Sequence, residues 1–269
     1  MSQNRALVGL TVAATGALLS LGAMPATAAD TATVSVLHAV PDTPVDVYAN
    51  GEELLPDFQP GTLTDPLELP AGSYDIQVFA AGADPDADEP AIEGSVDVPA
   101  GANATLVAHL AEDGTPTLTP FVNDTSAVDA GQARVTVRHT AAAPAVDVRA
   151  GGEPVIEGLA SPDEKTLTVP AGTISADVVV AGTDTVAIGP ADLELAEGSN
   201  TIVYAWGSEE AGYELATQSI SASSAPSGVD AGTAGMVDDG AMPAALIALS
   251  LAGLVGAGIA GRRLVAPRG

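Results

Sequence analysis

Short stretches of this chain alternate apolar and polar positions with a period of two, the mark of a β-strand with one face buried. Val34, Val36 and His38 alternate with Ser35, Leu37 and Ala39, and farther on Val135, Val137 and His139 alternate with Arg134, Thr136 and Arg138. The arginines set the expected phase, with Arg134 and Arg138 facing water and the valines facing a core. Further apolar runs lie at 46–48, 63–69, 74–79, 95–98, 105–109 and 117–121. Pro-Ala-Gly segments and Asn50-Gly51 punctuate them, and these are turn sequences. About seven short strands in each ~90 residues predict a β-sandwich. No segment between the runs carries a long 3.6-residue period, so little helix is expected there.

At both ends the pattern changes to continuous apolar sequence. Residues 1–29 read as a secretory leader: Arg5, an apolar run from Ala6 to Leu21, then Ala26-Thr27-Ala28, with cleavage expected after Ala28 or Ala29. Residues 242–261 form an uncharged run that ends at Arg262-Arg263. At a rise of 1.5 Å per residue, about 20 residues cover the ~30 Å hydrocarbon layer, so one transmembrane helix is expected here. Asp238 and Asp239 precede it, and Arg262, Arg263 and Arg268 follow it. That asymmetry predicts a cytoplasmic basic tail at 262–269 and an extracellular ectodomain on a single-pass membrane anchor. Gly253, Ala257 and Gly261 recur at the small-xxx-small spacing of close helix pairs. A Ser/Gly/Asp-rich stalk is expected at 222–241.

The ectodomain repeats itself. His38 through Val47, with Pro44, Val45 and Asp46, matches His139 through Val148, with Pro144, Val146 and Asp147, at an offset of 101. Leu67-Glu-Leu-Pro-Ala-Gly72 matches Leu167-Thr-Val-Pro-Ala-Gly172 at an offset of 100. Val96 through Asn103 matches Leu193 through Asn200 at an offset of 97. Three blocks in one order predict two copies of a domain, 31–122 and 133–221, joined by a linker at 123–132. These blocks together resemble the domain-of-unknown-function 4397 family. The resemblance implies secreted or surface proteins, tandem copies, an immunoglobulin-like β-sandwich and no established catalytic role. The expected fold class is therefore all-β, two tandem immunoglobulin-like β-sandwiches plus one C-terminal transmembrane helix.

Charge narrows the partners. All 35 Asp and Glu lie between Asp30 and Asp239, where the basic residues are only Arg134, Arg138, Arg149 and Lys165. Such a surface repels phosphate backbones and excludes nucleic acid. The absence of cysteine from the sequence excludes disulfides as a source of stability.

Four sets of residues are candidates for chemistry. His38 and His139 each precede an aspartate by eight residues, Asp46 and Asp147. A buried histidine bonded to loop backbone accounts for this motif, and a metal or catalytic pair is the sharper alternative. Asp84, Asp86, Asp88 and Glu89 offer hard oxygen ligands to Ca²⁺, although Glu89 stands where an EF-hand loop requires glycine. His109 is a lone strand-end residue. Trp206, Tyr204 and Tyr213 are core residues or a small binding patch. No Gly-x-Ser-x-Gly or His-Glu-x-x-His motif occurs, and aromatic sugar platforms are scarce. The sequence thus predicts a non-catalytic cell-surface module: a spacer or adhesin meeting an envelope protein or glycan, or a domain binding Ca²⁺ or a small ligand.

Overall fold

The computed structural model describes residues 31–222. The first half holds β1 (Thr31–Ala39), β2 (Val45–Ala49), β3 (Glu52–Phe58), β4 (Leu67–Pro70), β5 (Gly72–Ala80), β6 (Ile92–Val98), β7 (Asn103–Leu110) and β8 (Pro116–Val122). The second holds β9 (Gln132–Ala142), β10 (Val146–Ala150), β11 (Glu153–Leu159), β12 (Glu164–Pro170), β13 (Gly172–Val180), β14 (Val186–Leu195), β15 (Ser199–Ser208) and β16 (Gly212–Ser221). Each half has eight strands rather than about seven. The unexpected one is β3, whose Glu, Pro and Asp disguise a sheet-edge strand, the position where proline is tolerated.

Sheet order is duplicated. The first half pairs β4-β1-β7-β8 with β3-β2-β5-β6, and the second pairs β12-β9-β15-β16 with β11-β10-β13-β14. In both, the opening strand runs parallel to the seventh, β1 with β7 and β9 with β15, while its other neighbour is antiparallel. Asn50 and Gly51 turn β2 into β3 with φ of 52° and 79°, the left-handed pair that a two-residue hairpin needs.

Two parts of the expected fold class are corrected. The strand order is sandwich-like but not the immunoglobulin one, in which the first strand does not sit between the fourth and seventh. The described residues form no helix, so none is long and apolar enough to cross a membrane. The helix expected at 242–261 lies outside the described residues, as do the leader and most of the stalk. The class is all-β without it.

A third correction concerns burial. Arg134 and Arg138 do not face water: Arg138 is 1% exposed and Arg134 is buried as well. The reason is that two of the four sheets are covered on both sides. Val135 and Val137 point into their own sandwich, while Arg134, Thr136 and Arg138 on the opposite face of β9 are also covered. Likewise Val36 packs inside the first sandwich while Leu37 and Ala39 pack outward against Ile202, Tyr204 and Trp206. The sandwiches therefore dock through their β1/β7 and β9/β15 sheets. Gly61 closes one edge of that joint, since a Cβ there would lie 2.9 Å from the Trp206 ring.

Polar groups in the joint are linked in series. Arg138 donates to Tyr204 Oη (2.8 Å), and that hydroxyl donates to Gln218 Oε1 (2.7 Å). Gln218 Oε1 also accepts from Thr105 Oγ1 (2.9 Å), and its amide donates to Ser35 Oγ (3.3 Å). Arg138 further pairs with Glu164 and lies 4.4 Å from the centre of the Phe121 ring, in cation–π contact. Arg134 ties the connecting segment down through the carbonyls of Asp124 and Ser126.

Candidate functional site

The duplicated His and Asp residues hold loops in place. His38 Nε2 donates to the Thr43 carbonyl (2.8 Å), and His139 Nε2 donates to the Pro144 carbonyl (3.0 Å). Both rings are buried, which lowers their pKa values against the opposing pull of those carbonyls. Asp46 accepts the N–H of Asp57 (2.7 Å) on one oxygen and that of Gly82 (2.8 Å) on the other. Asp147 does the same with Gly158 (2.7 Å) and Gly182 (2.8 Å). Asp57 and Gly158 both have positive φ, 47° and 63°, so each carboxylate pins a left-handed turn beside the loop that follows β5 or β13. Those two N–H groups hold Asp147 below its ordinary pKa. Each histidine and aspartate is thus engaged with backbone rather than with its motif partner.

The other candidates also resolve into local roles. His109 donates from Nδ1 to the Leu110 carbonyl (2.9 Å) and accepts from Thr119 Oγ1 (2.8 Å), so its neutral tautomer is set by its partners. Tyr204 and Trp206 lie in the joint, and Tyr213 reaches the Ala142 carbonyl. In the acidic loop, Asp84 accepts the Asp86 N–H and Asp88 accepts the Asp84 N–H. Asp84, Asp86, Asp88 and Glu89 are not brought together as a ligand set, and among the described residues no group of three or more His, Asp or Glu converges on a metal position.

What the structure assembles instead is a cavity inside the first sandwich. It holds about 290 Å³, and its lining reaches the β2–β3 turn, the β4–β5 junction, the loop after β6 and the end of β8. Val34, Val36, Leu69, Ile76, Val96 and Leu106 wall it, and Tyr74 is the one aromatic residue in the lining. The Tyr74 hydroxyl donates to the Pro70 carbonyl (2.7 Å), which fixes that ring in the lining. Val122, also in the lining, is 67% exposed.

The core explains why the space exists. In the first sandwich the buried apolar residues form two clusters, one around Val36, Val47 and Ile76 and another around Ala32, Val34 and Val98. The cavity lies along their seam, with Tyr74 and Val96 flanking both. The second sandwich has a single continuous cluster. There, Leu193 and Leu195 stand where the first has Val96 and Val98; the apolar void beside Val137, Ala176, Leu193 and Val203 is about 20 Å³, and a polar cleft of about 520 Å³ lies over Glu194, Thr201 and Ser219.

Charge sharpens the contrast. Residues 31–122 contain 16 Asp and Glu and no Lys or Arg, and Glu52, Glu53 and Asp97, on the edge strands beside the cavity, are exposed. The four basic residues among the described residues all belong to the second sandwich, where the arginines are paired with Asp124, Glu164, Asp177 and Asp184. Sequence reasoning did not find the cavity. The repeat blocks show two valines against two leucines at 96 and 98, while Tyr74, Ile76 and Leu106 are larger than Ile174, Ala176 and Val203, so no single exchange in the sequence marks the cavity.

Fold and site together define an all-β protein of two docked, topologically equivalent sandwiches, one of them holding an apolar pocket. Residues 32–149 match the model of the domain of unknown function DUF4397, the family that the repeat blocks resemble. The match runs from β1 to β10, so it covers the first sandwich and only the opening strands of the second. A comparison with curated proteins finds no match. Among solved structures, the Bacillus anthracis TIE protein matches at 12% identity over 65% of this chain and 33% of that one, with a TM-score of 0.21. The chain thus spans about a third of that structure, and a likeness this low carries no argument.

Proposed function

We propose that this protein is a non-catalytic binding module acting outside the cell, in which the first sandwich takes a small apolar ligand and the second braces it. The observation that carries this reading is the apolar cavity of about 290 Å³ between the sheets of one sandwich, set against an apolar void of about 20 Å³ and a polar cleft in the other. An apolar cavity of about 150 Å³ is enough to hold benzene, and ligand pockets begin near 300 Å³. The framework residues His38, Asp46, His139 and Asp147 serve both halves alike, so they do not account for the difference. Export follows in this reading from the leader at residues 1–29. A spacer or adhesive role is the second reading. It is favoured by the buried joint, which stiffens the pair.

A neutral fluorescent apolar probe, N-phenyl-1-naphthylamine, tests the pocket. The full-length chain should enhance its emission, and the double substitution Val96→Leu, Val98→Leu should remove most of that enhancement. Equal enhancement in both proteins would show that the probe sits elsewhere and would defeat the pocket reading.

A further inference from the structure

We infer that the pocket takes one flexible hydrocarbon chain of about ten to twelve carbons, lying across the strands from one edge of the sandwich to the other. This rests on the pocket reading above and adds the shape of the space. The lining recurs at residues two apart along a strand: Val34 and Val36 from β1, Tyr74 and Ile76 from β5, Val96 and Val98 from β6. The strands β7 and β8 contribute pairs of the same spacing. Two successive inward positions of a strand lie about 7 Å apart, so the cavity is one such repeat deep along the strands. Across them it is longer. Its lining runs from Leu54 and Leu69, on the outer strands β3 and β4, to Val98 and Val122, on the outer strands β6 and β8. Four strands at about 4.8 Å spacing make that width about 14 Å.

A space of about 290 Å³ spread over that area is a layer about one carbon atom thick. Volume and width then agree on the occupant. A cavity of about 150 Å³ holds the six carbons of benzene, so this one holds about twelve. An extended chain advances about 1.2 Å per bond, as a peptide's three bonds per residue do, so twelve carbons in line reach about 13 Å. A compact ring system with as many carbons is shorter than the cavity and thicker than the layer. A flat, rigid one meets another obstacle, because neighbouring strands are rotated by about 20–25° and the walls turn with them. Free torsions let a chain follow that turn. Among the described residues, no buried polar side-chain atom of the lining lacks a partner, and the Tyr74 hydroxyl is taken by Pro70. The enclosed part of the ligand is therefore hydrocarbon alone. Val122 is 67% exposed, so the cavity reaches solvent at the β6–β8 edge, where a polar head stays in water.

The test is a series of n-alkyl maltosides with octyl, decyl, dodecyl and tetradecyl tails, titrated calorimetrically below their micelle concentrations into the full-length chain. Affinity should rise about fourfold per methylene up to the dodecyl compound, the gain from burying each one, and less than about twofold from dodecyl to tetradecyl. The tail of 6-cyclohexylhexyl maltoside has as many carbons as dodecyl, but its ring is thicker than the layer. It should bind about tenfold more weakly than the dodecyl compound. Leu69→Ala, at the β3–β4 edge, should lengthen the cavity and let affinity rise again at the tetradecyl compound. Affinity that keeps climbing through tetradecyl in the wild type, equal binding of the two matched tails, or a plateau that Leu69→Ala does not move would overturn the chain assignment and leave the pocket standing. If no maltoside binds while N-phenyl-1-naphthylamine emission still responds to Val96→Leu, Val98→Leu, the chain assignment falls alone. If neither kind of molecule binds, or that double substitution changes the binding of neither, the pocket falls with it.

Discussion

The two sandwiches share strand order, a parallel first-to-seventh pairing, a buried histidine on a loop carbonyl and an aspartate bridging two backbone N–H groups. They differ in what fills the space between the sheets and in the charge around it. One core is continuous, while the other is split by an apolar cavity in a sandwich that carries no Lys or Arg. The lesson is that the shared motif maintains the loops and thereby frees the interior of one copy to diverge. The proposed function is therefore placed in what differs, because the same fold serves many sites.

The comparison can be broken most severely at the joint. Ile202 is fully buried among Leu37, Phe121 and Trp206, so Ile202→Asp places a charge in a dry interface and should cost more than about 4 kcal/mol. Trp206 is the sole tryptophan and lies in that interface, so its fluorescence reports docking directly. In urea, fluorescence and circular dichroism should coincide for the wild type and separate for the variant. If they stayed superimposed in the variant, the two sandwiches would not depend on the joint for their coupling.

The paired aspartates come next. Asp46→Ala strands two backbone N–H groups and should cost about 2–4 kcal/mol in chemical denaturation. Asp147→Ala removes equivalent bonds at a more exposed place, where water substitutes for the carboxylate, and should cost less. Equal losses would mean that exposure does not separate the two clamps.

Smaller effects come from exchanging the core residues. Val96→Leu, Val98→Leu should raise stability by about 1 kcal/mol by narrowing the seam. The reverse exchange, Leu193→Val, Leu195→Val, should lower it by roughly 0.8 kcal/mol per methylene. Urea midpoints at unchanged slope check both, and destabilisation by the first exchange would show that the seam has no room for the added groups.

The smallest expected effect is on pH dependence. Burial pushes His38, His109 and His139 below the ordinary value of 6.5. The unfolded chain therefore binds more protons just below that value, so stability is full above it and declines as pH falls through the window beneath. The first sandwich holds two such rings and the second holds one, with Trp206 standing where His109 would repeat. Melting temperatures between pH 7.5 and 5.5 should flatten more on His38→Gln, His109→Gln than on His139→Gln. Identical slopes in all the proteins would remove histidine as the source.

Much of the framework was legible in the residues. The Asn50-Gly51 turn, the order of runs and the repeat blocks are local signals, and hydrogen bonding within a hairpin depends on neighbours in sequence. The site was not legible in the same way. An arginine alternating with valines reads as a solvent-facing residue, and only a second sheet bearing Tyr204, Phe121 and Glu164 makes its burial tolerable. Val96 and Val98 read as ordinary inward strand residues. That they leave a void depends on Leu69, Tyr74 and Leu106 across the gap.

By itself the amino-acid sequence determined two copies of one strand-and-turn order, their loop-holding His and Asp residues, and an intensely acidic surface. Tertiary structure decided which faces are covered twice, how the copies join, and that one interior stays open. The division has a physical cause. Strand phase and turn geometry follow from adjacent residues, whereas burial and cavity volume are set by side chains brought opposite one another from distant parts of the chain.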